Sequence, residues 1–257
     1  MATRNTKKKV ALLEISKGQT VQKEIPVPSL VTVRSRIRPE HIKTIQPLTD
    51  TQQKLFDTFK LDTNIVLDGF AGCGKTFVTL YLALREVLLN RRYKKVVIIR
   101  SIVPSRDIGF LPGSLEEKIA VYEAPYISIF AELLAREIPD VYKKLQEQQL
   151  IEFMPTSFLR GTTINDAIIV VDEAQNLNFA EADTVITRVG ANSKLVLCGD
   201  YNQSDLDKKD KDGYKKILSI LKSMYNVTTI TFTEEDIVRS EFVKSYIIAK
   251  NRLGISS

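Results

Sequence analysis

A glycine-rich segment limits the fold of this chain more than any other feature. It reads Gly69-Phe70-Ala71-Gly72-Cys73-Gly74-Lys75-Thr76 and fits the spacing G-x-x-x-x-G-K-[ST]. An apolar run at 64–68 before it predicts a β-strand, and periodic apolar residues after it predict a helix. Glycines in such a turn let backbone N–H groups surround phosphates at the positive end of the helix. The segment therefore predicts a phosphate-binding loop within an α/β fold.

Short apolar runs alternate with periodic segments from residue 48 onward. The apolar runs, at 64–68, 95–100, 150–154, 167–172, 194–199 and 227–232, predict strands. The periodic segments, at about 51–60, 75–90, 114–135, 138–149, 179–190, 213–223 and 235–251, predict helices. Strands this apolar need cover on both faces, which favours a mainly parallel sheet between two helical layers. We expect ligands at the carboxyl ends of its strands.

Positive charge is concentrated at the N-terminus. The 257 residues have a formal net charge of +6, and residues 1–47 hold ten Lys or Arg against three Glu, which is +7 and leaves −1 for the rest. We therefore expect a basic arm, partly extended or mobile, at 1–47 and one domain at 48–257. Such an arm can contact a polyanion such as nucleic acid through its phosphates. The alternative is a solvated terminus without a partner.

The sequence disfavours several classes of protein. No run approaches the roughly 18 apolar residues of a membrane-spanning helix, and the first ten residues do not resemble a secretion signal. We therefore expect no membrane association and a cytoplasmic location. The two cysteines, Cys73 and Cys198, and the single histidine, His41, lack the spacing of a disulfide framework or a zinc site.

A second motif supplies two adjacent carboxylates. It reads Ile168-Ile169-Val170-Val171-Asp172-Glu173-Ala174-Gln175. Its apolar half predicts a buried strand that delivers Asp172 to the carboxyl edge of the sheet, where it can hold Mg²⁺ through the water shell of the ion. We expect Lys75 to neutralise the β- and γ-phosphates of ATP and the Thr76 hydroxyl to coordinate Mg²⁺. An acid next to the metal-binding Asp suits a hydrolase, so Glu173 is the candidate base. The alternative is a strand end with two solvated acids.

A third motif follows the next apolar run and reads Gly199-Asp200-Tyr201-Asn202-Gln203. If it lies beside the phosphates, Asp200 and Gln203 can sense the γ-phosphate, and Gln203 can hydrogen-bond the attacking water. The alternative is an ordinary turn, because Gly-Asp is common after strands. Its position as the third motif in order favours the first interpretation.

Together the motifs resemble the PhoH family of bacterial and phage ATPases, which are related to the core of superfamily-one helicases. The matching segments are 69–76, Gly-Phe-Leu-Pro-Gly at 109–113 with Ser-Leu-Glu-Glu-Lys at 114–118, Arg-Gly-Thr-Thr-Ile-Asn-Asp-Ala at 160–167, Asp-Glu-Ala-Gln-Asn at 172–176, Thr-Arg-Val-Gly at 187–190, 199–203 and Asp-Ile-Val-Arg at 236–239. They cover about residues 48 to 250, whereas residues 1–47 do not resemble the N-terminal region of cellular members. The resemblance implies a three-layer α/β P-loop NTPase fold of RecA- and helicase-like type.

The resemblance also implies a set of nucleotide-binding residues. A glutamine upstream of the phosphate loop reads the adenine edge in helicases, and Gln52 occupies a similar position. The alternative for Gln52 is an exposed side chain in a helix that Thr49 or Asp50 caps. The expected nucleotide-binding residues are Gly69, Ala71, Gly72, Cys73, Gly74, Lys75, Thr76, Phe77 and Gln52.

Arginines are candidates for completing the site. P-loop enzymes recruit an arginine finger, and helicase relatives supply theirs from a second core domain that this chain is too short to contain. We therefore expect Arg239 or Arg188 to act from a neighbouring subunit, which favours a homo-oligomeric ring such as a hexamer. The alternative is that both form surface ion pairs. Arg160 and Arg100, at or near strand ends, follow the same logic with less support.

The sequence interpretation is Mg²⁺-dependent ATP hydrolysis by a PhoH-like ATPase, coupled to RNA or single-stranded DNA in a helicase-like manner. Phe110 and Tyr122 can stack on bases, or else anchor a loop and pack within a helix. A nucleotide-gated, nucleic-acid-binding scaffold and a small-molecule kinase remain the alternatives. The acid Glu173 disfavours the kinase, because a kinase must keep water away from the γ-phosphate.

Overall fold

A six-stranded parallel sheet forms the centre of the molecule. The computed structural model describes residues 36–102, 115–135, 138–200 and 208–253. The strands are β1 (Asn64–Gly69), β2 (Lys95–Arg100), β3 (Ile151–Pro155), β4 (Ala167–Val171), β5 (Lys194–Cys198) and β6 (Val227–Phe232). They are arranged in the order β3-β2-β4-β5-β1-β6, and every neighbouring pair is parallel. The six predicted strands are confirmed, each within one residue of its expected bounds.

Seven α-helices connect these strands within the described residues. They are α1 (Asp50–Phe59), α2 (Lys75–Arg85), α3 (Leu115–Leu133), α4 (Val141–Glu147), α5 (Phe179–Thr187), α6 (Lys208–Ser223) and α7 (Glu241–Arg252). A π-helical turn, Glu86–Asn90, continues α2. Short 3₁₀ turns lie at Pro39–His41, Thr156–Phe158, Ala174–Asn176 and Glu234–Asp236.

Helices α6 and α7 begin furthest from their predicted starts, and α4 begins three residues late, at Val141. Helix α6 starts at residue 208 and runs through Gly213, where the helix was expected to begin. A Cβ atom at Gly213 would lie 2.7 Å from the backbone nitrogen of Phe179, so the glycine permits close packing of α6 on α5. Helix α7 starts at 241 instead of about 235, because Asp236 closes a capped 3₁₀ turn and Ile237 is extended.

The sheet separates two apolar layers, as a strand period of two requires. In β4, Ile168 and Val170 face the core that α1, α2, α3 and α4 cover, whereas Ile169 and Val171 face the core under α5 and α6. All five residues of β4 are buried. The α/β three-layer prediction is therefore confirmed, and the continuous apolar runs reflect burial of both faces.

The strand order brings the three sequence motifs to one edge. Strand β1 leads into the glycine-rich loop, β4 into Asp172 and β5 into Asp200, and β5 lies between β1 and β4. All three strands are parallel, so their carboxyl ends lie at the same edge of the sheet. The connection from β1 to β2 crosses over β5 and β4 to produce this arrangement.

Part of the predicted basic arm lies within the described residues. Ile37 is buried in the apolar core, and Ile42 forms an antiparallel bridge with Leu134 at the end of α3. The backbone N–H of Ile45 donates to the hydroxyl of Tyr81 on α2 at 3.1 Å. Residues 36–45 therefore pack on α2 and α3, and the rest of the predicted arm, residues 1–35, lies outside the described residues. Within the described ranges, no helix combines the length and apolar character needed to cross a bilayer.

Candidate functional site

The glycine-rich loop has the backbone that its sequence predicts. Gly74 is left-handed (φ 76°) and forms the N-cap of α2, and Gly72 is also left-handed (φ 81°). A Cβ atom at Gly74 would lie 3.2 Å from Nε2 of Gln52, so both conformation and space favour glycine. The ammonium of Lys75 donates to the carbonyl oxygens of Gly69 and Phe70, each at 2.7 Å. This places Lys75 across the loop, beside the N-terminus of α2.

The hydroxyl of Thr76 and the carboxylate of Asp172 converge at the start of α2. Thr76 Oγ1 donates to Asp172 Oδ1 at 2.5 Å, although the two residues are 96 positions apart. Hydroxyl and carboxylate oxygens are the ligands that Mg²⁺ prefers, and the ion commonly needs only one or two of them besides phosphate oxygens. Among the described residues there is no cluster of three or more Asp, Glu, His or Cys that could hold a metal. The pair therefore fits Mg²⁺ bound together with a nucleotide.

Both oxygens of the Asp172 carboxylate have a hydroxyl partner. Tyr126 of α3 donates its hydroxyl to Asp172 Oδ2 at 2.8 Å. Asp172 is buried, with 6% of its surface exposed, and Tyr126 is fully buried. Sequence reasoning missed Tyr126, because nothing in a helix 46 residues upstream indicates a contact with this strand end.

Glu173 has a specific backbone and side-chain geometry. Its backbone is left-handed (φ 50°), which is uncommon for a residue with a side chain. The amide of Gln175 donates to Glu173 Oε2 at 2.5 Å. Burial is the main cause that raises the pKa of Glu173, and the adjacent charge of Asp172 raises it further. A half-buried carboxylate with a raised pKa is a suitable proton acceptor.

Gln175 connects the ends of β4 and β5. Besides donating to Glu173, its Oε1 accepts from the backbone N–H of Asp200 at 3.1 Å. Gln175 and Asp200 are both buried. The sequence contained Gln175 within the Asp-Glu-Ala-Gln motif, but its spacing alone did not reveal this bridging role. Gln203, the other residue expected to sense the γ-phosphate, lies outside the described residues.

Gln52 lies beside the phosphate loop with its amide engaged inside the protein. Its Oε1 accepts from the backbone N–H of Leu48 at 2.8 Å, and its Nε2 donates to the carbonyl of Cys73 at 3.0 Å. Thr49 caps α1 by accepting from the backbone N–H of Gln52, as the alternative predicted. The same alternative expected an exposed side chain, and that part is wrong because Gln52 is 2% exposed.

The two candidate finger arginines lie in different parts of the molecule. Arg239 lines the same cleft as the phosphate loop, and a Cβ atom on Gly72 would lie 3.1 Å from its Cγ. The backbone N–H of Val238 also donates to the carbonyl of Gly72 at 3.0 Å. Arg188 follows the last residue of α5. The next residue, Val189, forms a β-bridge with Ile164, and these two residues precede β5 and β4 respectively. Arg188 therefore lies at the amino edge of the sheet. Of the two, it is therefore Arg239 that lies by the phosphate loop of its own chain.

The remaining sequence candidates are distributed around the sheet. Arg100, at the end of β2, lies over the ring of Tyr122 at 5.8 Å from its centroid. Burial opposes its charge, but Tyr126, Asp172 and Glu173 together raise the pKa of Arg100. Arg160 is exposed after β3. The predicted base-stacking residue Phe110 lies outside the described residues.

These elements surround one cleft of about 600 Å³. The phosphate loop, Asp172 and Glu173 line it together with Ile45, Leu48, Phe77 and Arg239. The volume is within the range of small-molecule sites. A cleft with a phosphate-binding loop, a hydroxyl–carboxylate pair and an adjacent acid can hold a nucleoside triphosphate and direct water at it.

The fold and this site define a P-loop NTPase domain. Residues 44–250 match the family described as PhoH-like protein. The chain belongs to the PhoH family, as the sequence motifs indicated.

Curated relatives support this assignment. Over 211 residues the chain is 33% identical to the PhoH-like protein of Mycobacterium bovis, and the aligned region covers 82% of this chain and 59% of that protein. It is 32% identical over 211 residues to the PhoH-like protein of Bacillus subtilis, covering 82% and 65% respectively. The chain therefore spans less than two thirds of the length of these relatives. A solved structure, the large terminase of a thermophilic bacteriophage, matches with a TM-score of 0.46 and 14% sequence identity. The match covers 78% of this chain and 50% of the terminase chain. This similarity is too distant to support any statement about activity.

Proposed function

We propose that this domain hydrolyses ATP with Mg²⁺. The observation that carries the proposal is the position of Glu173, directly after Asp172 at the carboxyl edge of the sheet and in the same cleft as the phosphate loop. Burial and the charge of Asp172 raise its pKa, and Gln175 fixes its orientation. A carboxylate held in this way can accept a proton from water that attacks the γ-phosphate.

The other residues bind and orient the nucleotide. Lys75 neutralises the β- and γ-phosphates, and Thr76 and Asp172 hold Mg²⁺. When bound, Mg²⁺ stabilises the negative charge that develops on the phosphate oxygens. Gln203 senses the γ-phosphate. An arginine completes the site. It comes from a neighbouring subunit of a ring, as Arg239 or Arg188, or else it is Arg239 of the same chain.

Coupling of hydrolysis to RNA or single-stranded DNA is the second part of the proposal. The net charge of +7 within residues 1–47 supports it, because basic segments bind phosphate backbones without sequence preference. A helicase-like translocase is one form of such coupling, and a nucleotide-gated scaffold without strand separation is the alternative. The two differ in a measurable way, because only the translocase separates a duplex when ATP is turned over.

The test is phosphate release by wild type and Glu173→Gln, with and without single-stranded RNA. We expect Glu173→Gln to retain nucleotide binding and to lose at least about 100-fold in turnover, within the range that general-base catalysis contributes. Glu152→Gln is the matched control, because Glu152 is a carboxylate on β3 that pairs with Lys95 away from the cleft. Full turnover by Glu173→Gln would remove Glu173 from the proposal, and transfer of label from ATP to an acceptor other than water would favour a kinase.

A further inference from the structure

The side chain of Tyr126 lies where it can control the orientation of Asp172. The carboxylate of Asp172 has two oxygens, and each accepts from a different hydroxyl: Oδ1 from Thr76 at 2.5 Å and Oδ2 from Tyr126 at 2.8 Å. Two donors on opposite oxygens fix the rotation of the carboxylate plane. Thr76 lies in the first turn of α2 and Tyr126 in α3, so the orientation depends on two separate elements.

Hydrogen-bond chemistry fixes the direction of the bond from Tyr126. Its hydroxyl is the donor and Oδ2 of Asp172 the acceptor, because a carboxylate oxygen accepts hydrogen bonds. The proton of Tyr126 therefore lies between the phenol oxygen and Asp172.

The surroundings of Tyr126 hold its ring in position. The residue is fully buried, and its ring lies 5.6 Å from the ring of Phe153 on β3. The neighbouring ring of Tyr122, one helical turn away on α3, is covered by the guanidinium of Arg100. Because the ring of Tyr126 is packed on all sides, its hydroxyl is presented to Asp172 in one geometry.

We propose that Tyr126 is a positioning residue that holds Asp172 in the orientation needed to bind Mg²⁺ together with Thr76. The proposal rests on the proposed function in one respect, because it takes Asp172 as the carboxylate that holds the metal. Groups that hydrogen-bond a metal-binding side chain typically change metal affinity about 10- to 100-fold when they are removed.

The chain contains a close control for Tyr126. Tyr142 of α4 is also buried and donates its hydroxyl to a carboxylate, Glu123 Oε1, at 2.9 Å. Its ring also packs against another aromatic ring, that of Phe130, at 6.0 Å. Tyr142→Phe therefore removes the same kind of bond from the same helical layer, without touching the cleft.

The experiment measures metal binding directly, by electron paramagnetic resonance of Mn²⁺ added to the full chain with ADP. We expect Tyr126→Phe to weaken Mn²⁺ binding about tenfold and Tyr142→Phe to leave it unchanged, although both lose a buried hydroxyl. In turnover assays, a higher Mg²⁺ concentration should restore the kcat of Tyr126→Phe to within about twofold of wild type.

Three outcomes overturn the proposal: unchanged Mn²⁺ affinity in Tyr126→Phe, an equal loss in Tyr142→Phe, or a wild type that binds no Mn²⁺ in the presence of ADP. A wild type that never turns over ATP would contradict the proposed function. Because Mn²⁺ binding requires no hydrolysis, the Mn²⁺ measurement would still test whether Tyr126 positions Asp172.

Discussion

The hydroxyl of Thr76 donates to Oδ1 of Asp172 at 2.5 Å, joining the first turn of α2 to the end of β4. The contact joins the first and second sequence motifs through their side chains. It also explains why a hydroxyl residue is needed after Lys75, since a methyl group in its place could neither donate to Asp172 nor coordinate a metal.

Thr76→Val should therefore distinguish the contribution of the Thr76 hydroxyl from that of the side-chain volume. Valine has nearly the shape of threonine without the hydroxyl, so we expect at least a tenfold loss in turnover at limiting Mg²⁺, equivalent to about 1.4 kcal/mol. Thr76→Ser keeps the hydroxyl and should retain most activity. The measurement is phosphate release over a Mg²⁺ titration, and equal Mg²⁺ dependence of the two variants would contradict a metal-binding role for Thr76.

Substitution of Gln52 should distinguish bracing of the loop from reading of the base. Gln52→Met deprives the Leu48 N–H and the Cys73 carbonyl of their partners, so we expect the free energy of unfolding to fall by about 1–3 kcal/mol. If bracing is its role, the affinities for fluorescent ATP and GTP analogues should fall by the same factor. A loss confined to ATP would instead support adenine recognition. Gln53→Met is the control, because the side-chain amide of this exposed neighbour donates to Asp57 at the surface.

Lys194 should make the stability of the protein depend on pH in the alkaline range. It is buried, its ammonium donates to the carbonyls of Phe59 and Leu61, and burial, followed by the charge of Arg92, lowers its pKa to about 8. Between this value and the ordinary 10.5, the unfolded chain binds a proton that the native state does not. The contribution of Lys194 to the free energy of unfolding should therefore rise with pH in this window, by as much as about 1.4 kcal/mol per pH unit, and it is absent below about pH 8. Above about pH 9 the two buried thiols contribute with the opposite sign, because their pKa values are raised in the native state.

Urea denaturation at about pH 7 and about pH 9.5 checks the contribution of Lys194. Because the thiols are the same in both proteins, we expect the change in the free energy of unfolding between these two pH values to be more positive in wild type than in Lys194→Met, whatever the absolute stability of that variant. Lys94→Met is the control, because the ammonium of Lys94 is exposed in a pair with Asp166. Parallel pH profiles for wild type and Lys194→Met would show that Lys194 has the same pKa in both states.

The two cysteines should be unreactive in the native state. Cys73 and Cys198 are free and buried, and burial is the main cause that raises their thiol pKa values to about 11 and about 12. Since the thiolate is the reactive form, we expect no modification by iodoacetamide at about pH 7.5 until urea unfolds the chain, after which both should react. Single Cys→Ala variants assign each reaction. Rapid native modification of Cys73 that ATP suppresses would contradict its burial and indicate an opening loop.

Local patterns in the sequence predicted much of the fold. Buried strands such as β4 are recognisable because both faces are apolar, and the phosphate loop is recognisable because its glycines and Lys75 have fixed spacing. The start of α7 was misplaced because the extended conformation after Asp236 interrupts an otherwise periodic segment. Burial of Gln52 was also not foreseen, since it depends on the folded loop around Cys73.

Contacts that join distant segments were not predictable from local patterns. Tyr126 meets Asp172 only because α3 packs over the end of β4, and no spacing within 115–133 signals that contact. The separation of Arg239 from Arg188 likewise follows from the strand order, which places the end of α5 at the opposite edge of the sheet from the phosphate loop. Sequence reasoning proposed both arginines for one role because it could not tell the edges apart.

The two hydrogen bonds made by the Gln175 amide have a consequence for the order of events in hydrolysis. One amide holds both the carboxylate of Glu173 and the backbone of Asp200, so the two cannot shift independently without breaking a buried hydrogen bond. If the backbone of Asp200 shifts when the terminal phosphate arrives or leaves, the amide transmits that shift to Glu173. Gln175 would then allow Glu173 to accept a proton from water only when Asp200, at the end of β5, is in place. Bound nucleotide would be protected from cleavage until that point.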